Sequence, residues 1–511
     1  MRHSRLIPVL LILLCGLTWT ACGGVGSGSQ PPASVRSERH LLIVLDGLRP
    51  DYVTPSLMPA LYALGQRGVV MTQHHAVYPT VTRVNASSIS TGAYPETHGL
   101  MGNAVFFPDV DPSGFLSTSD RANLLRIEAA GEPLLTSTTL GEVLQTAGKR
   151  LLVTSSGSSG SSYLLNHTVA GGVLLHHEYG LPGTVYEQAV ERLGPVPEAD
   201  TPNHERNRWI VDAFLEVALT ETDPSVTLMW LSDPDTTAHQ HGIGHGLTAE
   251  ALFRLDAEVQ RIQDGLAAMG LLDTTNIWVT SDHGFSEHTG AVDLQALLAP
   301  FSGTLDDGTP RVVAGAGAIY VKDDDRGTVE DVVAALQAAE GVGAIFTRAV
   351  TPGAHEGWVP GTLSFDLARW GHDRAAQILF SADWTDTVGE FGFAGTSAQG
   401  GVAGHGSSSP FDIHNVLVAR GPALREGVAV EAPSGNVDFA PTFLHLLGLD
   451  APSSMQGRVL REALRGETTP TTAGTTSEVR VENADGTYSL TAVLSEIDGR
   501  IYLDHTVTRR Q

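Results

Sequence analysis

From His40 onward, short continuous apolar runs alternate with longer segments whose apolar positions recur every three or four residues. The runs LLIVLD (41–46), RLLVTSS (150–156), SVTLMWLS (225–232), NIWVTSD (276–282) and HNVLVARG (414–421) read as strands. The amphipathic segments predict helices near 57–66, 138–147, 204–220 and 249–269. The last of these sets Leu252, Leu255, Val259, Ile262 and Leu266 at core-facing spacing. Such alternation predicts an α/β fold, a mainly parallel sheet sandwiched by helices. Four of the strands end in or just before polar clusters: Asp46, 155–162, Asp233 to His239, and Asp282 with His283. Ligand sites in an open α/β sheet form beyond the carboxyl ends of strands, so these clusters are expected to converge.

The rhythm breaks at 290–400, where VVAGAGAIYVK, a helix near 328–339 and a Trp- and Gly-rich stretch from Trp358 to Gly400 read as an inserted α+β cap. The core is then expected in two parts, 40–289 and 401–465, the second with a strand at 414–421 and a helix near 437–447. In the tail, 466–511, a Thr-rich link precedes two alternating segments, YSLTAVL and GRIYLDHTV, which predict a β hairpin at the sheet edge. No internal repeat is visible.

At the other end, Arg2 and Arg5 precede an apolar run from Leu6 to Leu17, too short to span a bilayer and of secretory-signal character. It closes in TWTAC, which resembles a bacterial lipoprotein processing box with Cys22 as the lipidated residue; an ordinary cleaved signal is the alternative. The expected arrangement is a signal over 1–22 and a flexible Gly/Ser/Pro-rich tether over 23–39. The chain would then be exported and held by lipid on the periplasmic or outer side of a bacterial membrane. Cys15 and Cys22 are the only cysteines, so any metal in the mature domain must be held by histidines and carboxylates. The formal charge of −26 disfavours binding to a nucleic-acid polymer, but not to a small phosphate ester at a local cationic site. Composition leaves the oligomeric state open.

Six residues have the setting of metal ligands. Asp46 ends a strand just before Gly47. Asp235 and His239, four apart in WLSDPDTTAHQHGIGH, share a face of a helix for which Pro234 suits the first position and Asp233 the cap. Asp282 and His283 end another strand, and His405 lies between Gly404 and Gly406. Two oxygen or nitrogen ligands four apart on a helix are a common zinc-binding arrangement. In AVYPTVTRVNASSISTGAYPETHGLMGN (76–103) a helix is expected to begin near Thr82. A threonine there faces unpaired N–H groups and the positive end of the helix dipole, which suits an alkoxide and an incoming phosphate; it is equally a usual capping residue. His241 and His245 read as ligand-supporting or substrate-contacting residues or as exposed loop residues.

The ordered set YPTVT, STGAYPETHGLMGN, DPDTTAH, SDHG, GHG and VDFAPT resembles the type I phosphodiesterase/nucleotide pyrophosphatase family of the alkaline phosphatase superfamily, over roughly residues 40–460. The resemblance implies an alkaline phosphatase-like fold and two zinc ions, one on Asp235, His239 and His405, the other on Asp46, Asp282 and His283. It implies Thr82 as nucleophile and a phosphothreonine intermediate, with Asn103 donating to a phosphoryl oxygen; a turn residue after Gly102 is the alternative. The hydroxyl needs activation, and no Ser-His-Asp arrangement is evident to supply it.

The chain departs from the family in having Arg83 and Val84 after the nucleophile, where an aromatic residue and Pro are frequent, and it has only Thr, Ser and Gly at 154–162, where some phosphomonoesterase relatives carry Lys and Arg. The leading expectation is a phosphodiesterase or nucleotide pyrophosphatase acting on a small phosphate ester. Diesters are favoured because the neutral loop at 154–162 offers no charged partner for a monoester's third oxygen, whereas that loop and an apolar cap around Trp358 to Trp384 could take an esterified group; Arg83 is expected to point away from the phosphoryl group. A phosphomonoesterase of the same fold, using Arg83 as a substrate-binding cation, is the alternative; a non-catalytic binding lipoprotein is the third reading. A sulfatase is disfavoured, since no Cys remains to become formylglycine.

Overall fold

The computed structural model of the chain describes residues 39–467 and 474–511. Cys22 and the expected signal and lipid anchor lie outside them. Among the described residues no helix is long and apolar enough to cross a membrane.

A nine-stranded sheet forms the centre. Its order is Val428–Val430, Val69–Met71, Leu417–Arg420, Thr275–Thr280, Arg39–Leu45, Val226–Leu231, Leu151–Ser155, Gly172–His176 and Gly180–Leu181. Only Leu417–Arg420 and Gly180–Leu181 run against the others. The segment expected as one strand at 414–421 is in fact two, because His414–Asn415 leaves for a small separate sheet with His74–His75.

The central strands are buried end to end because helices cover both faces. Leu42, Val44, Trp230 and Trp278 pack on one side with helix Thr82–Thr91 and helix Phe439–Leu446. Leu41, Ile43, Leu45 and Met229 pack on the other with helices Pro59–Arg67 and Gly246–Ala268. Register then places the chemistry: Leu45 pairs with Leu231 and Val44 with Thr280, so three adjacent parallel strands end together. Asp46, Ser232 to Asp235, and Asp282 with His283 follow those ends directly.

Within 290–400 a five-stranded, mostly antiparallel sheet packs with helix Arg326–Ala338. Its last part departs from an isolated cap: strand Ala394–Ser397 pairs with Ser286–His288 just beyond the strand end that carries Asp282 and His283. The tail differs from the expected two-stranded hairpin at the sheet edge. Thr475–Glu482, Tyr488–Ile497 and Arg500–Arg510 form a three-stranded antiparallel sheet of their own. Its Tyr488, Leu490 and Leu494 pack into the apolar core of the 290–400 region, not on the edge of the main sheet.

Candidate active site

The six sequence-singled residues meet in two adjacent triads. Asp235, His239 and His405 form one, and Asp46, Asp282 and His283 the other. In the first, Asp235 Oδ1 is 3.2 Å from His239 Nε2 and 3.5 Å from His405 Nε2. In the second, His283 Nε2 is 3.0 Å from Asp282 Oδ2 and 3.6 Å from Asp46 Oδ1. The His283 and His405 rings stack at 3.4 Å between centroids, which joins the triads.

Local structure explains each position. Asp235 opens the short helix Asp235–His241 and His239 lies one turn on, so both reach the same side. The helix starts one residue later than expected. Asp233 accepts from the hydroxyl of Thr237 and from the N–H of Asn203, and so ties the strand end to its neighbours. Gly47, after Asp46, has φ +71, and its N–H donates to Asp282 Oδ1 at 3.1 Å. A Cβ there would also meet Phe285 at 3.0 Å, so the turn that presents Asp46 calls for glycine.

The donor chemistry fits cations. His239, His283 and His405 each direct Nδ1 at a backbone carbonyl, of Ala403, Gly284 and Thr80 respectively, at 2.8–2.9 Å. A carbonyl only accepts, so Nδ1 carries the hydrogen and Nε2 offers its lone pair to the site. Facing these lone pairs are Asp46 Oδ1, Asp235 Oδ1 and Asp282 Oδ2, all buried and without a hydrogen-bond partner. Buried carboxylate oxygens left unpaired are costly unless a positive charge completes them. Burial, then Asp282 and Asp235, push Asp46 well above the usual carboxylate range. Burial and then the His283 charge drive His405 well below the usual histidine range.

Thr82 is buried and begins helix Thr82–Thr91, its Oγ1 3.3 Å from His283 Nε2. Asn103 lies beside it: its Oδ1 accepts from the Arg83 N–H at 3.0 Å, which fixes the amide and leaves Nδ2 free to donate. Arg83 differs from the expectation that it points away. It lines, with Thr82, Asp46 and Asp235, a polar cavity of about 790 Å³, and its buried Nε has no partner. Ser156, Ser158 and Arg206 share that cavity. No carboxylate lies within ion-pair distance of Arg83 or Arg206 among the described residues.

A second cavity, of about 360 Å³, opens on the other side of the site between Asn103, His405 and the apolar Tyr78, Val342 and Phe380. The tryptophans of the 290–400 region do not line it. Trp370 is fully buried, Trp384 donates to the Thr506 carbonyl, and Trp358 lies under Arg326 elsewhere. His241 and His245 stack on each other, and His245 caps helix Gly246–Ala268 by accepting from the Leu247 N–H.

Sequence reasoning missed Trp230, whose indole Nε1 donates to Asp46 Oδ2 at 2.9 Å. Within SVTLMWLS it reads only as one more core residue. Thr80 was missed too; its hydroxyl donates to the Ser407 carbonyl and accepts from the Gly406 N–H, anchoring the loop that carries His405.

Comparison with known proteins gives a consistent grouping. A family model described as type I phosphodiesterase / nucleotide pyrophosphatase matches residues 40–388. Ectonucleotide pyrophosphatase/phosphodiesterase family member 1 of Mus musculus is 29% identical over 262 residues, covering 50% of this chain but only 25% of its own length. Bis(5'-adenosyl)-triphosphatase of Bos taurus is 25% identical over 453 residues, covering 87% of this chain and 84% of its own. Among solved structures, human ectonucleotide pyrophosphatase / phosphodiesterase 5 is similar in fold, with TM-score 0.60, 20% identity and coverage of 84% of this chain and 100% of that one.

Proposed function

The chain belongs to the type I phosphodiesterase/nucleotide pyrophosphatase family, and from that premise we propose that it hydrolyses phosphodiester or nucleotide pyrophosphate bonds with two zinc ions and a phosphothreonine intermediate at Thr82. The observation that carries the reading is the pairing of three unpartnered carboxylate oxygens with three imidazole lone pairs around one hydroxyl. Two imidazoles with one carboxylate, and two carboxylates with one imidazole, are donor sets that suit zinc. Bound there, the ions would lower the pKa of the hydroxyl and neutralise charge on the attacking and leaving oxygens.

The chain's own groups supply the rest. Thr82 Oγ1 gives up its proton to solvent and bonds to phosphorus, while the bond to the leaving oxygen breaks and that oxygen departs with a proton from solvent. Asn103 Nδ2 donates to a non-bridging oxygen, and the first N–H groups of helix Thr82–Thr91 add their positive potential. Water then cleaves the phosphoryl–Thr82 ester and restores the hydroxyl. Thr82→Ala is expected to lower turnover by on the order of 10⁴ or more, with fold and zinc content kept. Near-wild-type turnover, or a phosphoryl adduct on another residue after rapid quench, would refute the assignment.

One observation favours a second reading. Arg83 brings an unpaired cation into the cavity of the nucleophile, where a monoester dianion needs a partner for its extra charged oxygen. The two readings separate on kcat/KM for an aryl phosphate against its methyl diester. Diester preference little changed by Arg83→Ala supports phosphodiesterase action; monoester preference lost in that variant supports the phosphomonoesterase.

A further inference from the structure

Away from the catalytic triads, three side chains from distant parts of the chain meet where the C-terminal sheet packs on the core. His75 and His414 are direct partners in an antiparallel ladder, so both imidazoles project from one face, with ring centroids 4.6 Å apart. Strand Arg500–Arg510 brings Asp504 over that face. Its Oδ1 is 2.7 Å from His75 Nε2 and 3.8 Å from His414 Nε2.

Hydrogen-bond accounting says what belongs between them. His75 Nδ1 faces the Ser434 carbonyl at 2.8 Å, so it carries a hydrogen, and in a neutral ring Nε2 is then a lone pair aimed at a carboxylate oxygen. Either a shared proton or a cation must separate the two. His414 bears on the choice. Its Nε2 is directed at the same oxygen from 3.8 Å. A proton on His75 serves one nitrogen, whereas a cation serves both.

We propose that His75, His414 and Asp504 form a further zinc site that clamps the C-terminal sheet to the core. Two imidazoles and one carboxylate are a zinc donor set. Tetrahedral bonds of about 2.0 Å put ligand atoms roughly 3.3 Å apart, and the separations of 2.7 and 3.8 Å straddle that value. The surroundings already orient the donors: Ser495 Oγ donates to Asp504 Oδ2 at 2.8 Å, and the Ser434 carbonyl fixes the His75 ring. His414 is 25% exposed, which leaves the fourth position open to water. Strand His74–His75 leads into the segment that ends at Thr82, and His414 follows the loop that carries His405. The clamp therefore braces two chain segments that serve the catalytic site, without entering it.

The site is independent of the activity proposed above, and so is its test. Crystals of the full chain grown with zinc are expected to show zinc-edge anomalous density between His75, His414 and Asp504. No density there, with the two catalytic triads filled, would overturn the proposal. In solution, His414→Ala is expected to hold one zinc fewer per chain than wild type and to lose part of the zinc-dependent rise in Tm, with turnover retained. His414→Cys, which restores a zinc donor, is expected to recover the missing equivalent. Equal zinc content in wild type and His414→Ala would overturn the site and leave His75 and Asp504 as a plain ion pair.

Discussion

Trp230→Phe isolates what a single outer contact does for a proposed metal ligand. The indole is fully buried, and its N–H is the one side-chain donor to Asp46 Oδ2 among the described residues. Phenylalanine keeps an aromatic ring at the position and removes that donor. The other oxygen, Oδ1, is the one aimed at the triad, so the change leaves the carboxylate less fixed and its charge less stabilised. A hydrogen bond to a charged group contributes about 1.5–3 kcal/mol, which corresponds to roughly 10- to 150-fold in an equilibrium constant. Loss of such partners of metal ligands typically costs about 10- to 100-fold in affinity or activity. The expected result is a fall of that size in zinc affinity at the Asp46/Asp282/His283 triad, measured by competition with a chelator. Affinity at Asp235/His239/His405 should stay within about threefold, since the lost indole hydrogen bond goes to the Asp46 carboxylate and to none of those side chains. Saturating zinc should restore most of kcat. The smaller ring also leaves a cavity costing about 2–4 kcal/mol of folding stability, so urea unfolding is measured alongside to keep the two effects apart. Equal loss at both triads, or no loss at either, would refute the reasoning.

Two further outcomes follow from particular residues. Asn103→Ala removes a donor that the Arg83 N–H holds in place and should lower kcat by about 10²- to 10³-fold with a smaller change in KM; a KM effect alone would place Asn103 in ground-state binding. Acid should destabilise the fold through His40 and His98, both buried and both pushed to about 3, chiefly by burial. Their folded pKa lies below the unfolded 6.5, so the unfolded state takes up protons first. The stability they protect is present above pH 6.5 and lost progressively as pH falls toward 3. His98 shows the cause: Nδ1 accepts from the Leu100 N–H at 3.1 Å, a bond that protonation breaks. Between pH 7 and 5 each should cost about 2 kcal/mol, and His98→Gln should flatten that slope in urea titrations; an unchanged slope would remove His98 from the account.

Much of the candidate site is legible in the sequence because its residues are local to strand ends. Asp46, Asp282 and His283 directly follow buried apolar runs, and parallel register carries those ends to one place. Asp235 and His239 announce themselves by helical spacing. Features that depend on long-range geometry are silent. Leu417–Arg420 is as apolar as its neighbours, and a strand buried on both faces carries no mark of its direction. The first tail strand, Thr475–Glu482, exposes most of its residues and buries only Val481, so its alternation is lost among Thr, Ser and Glu. Trp230 belongs to an unbroken apolar run, and only the structure shows that its one polar atom meets Asp46.

Arg83 shows how a sound rule fails when its direction is neglected. The sequence puts it second in a helix whose first residue is Thr82, the proposed nucleophile, and residues one apart on a helix do not face the same way. That spacing suggested a side chain turned from the phosphoryl group. Helical side chains, however, lean toward the N-terminus, and one in the first turn has no preceding turn to lie against. A long arginine there reaches back past the helix start, which in this fold is the cavity of Thr82. Its guanidinium then lies within the field of Asp46, Asp235 and Asp282 without pairing to any of them. Zinc in the two triads would neutralise much of that field and leave Arg83 a desolvated cation with no partner of its own. On the proposed function an anionic oxygen of the substrate would supply one, and selectivity between ester classes would then turn on this side chain rather than on the neutral Ser/Gly loop of the same cavity.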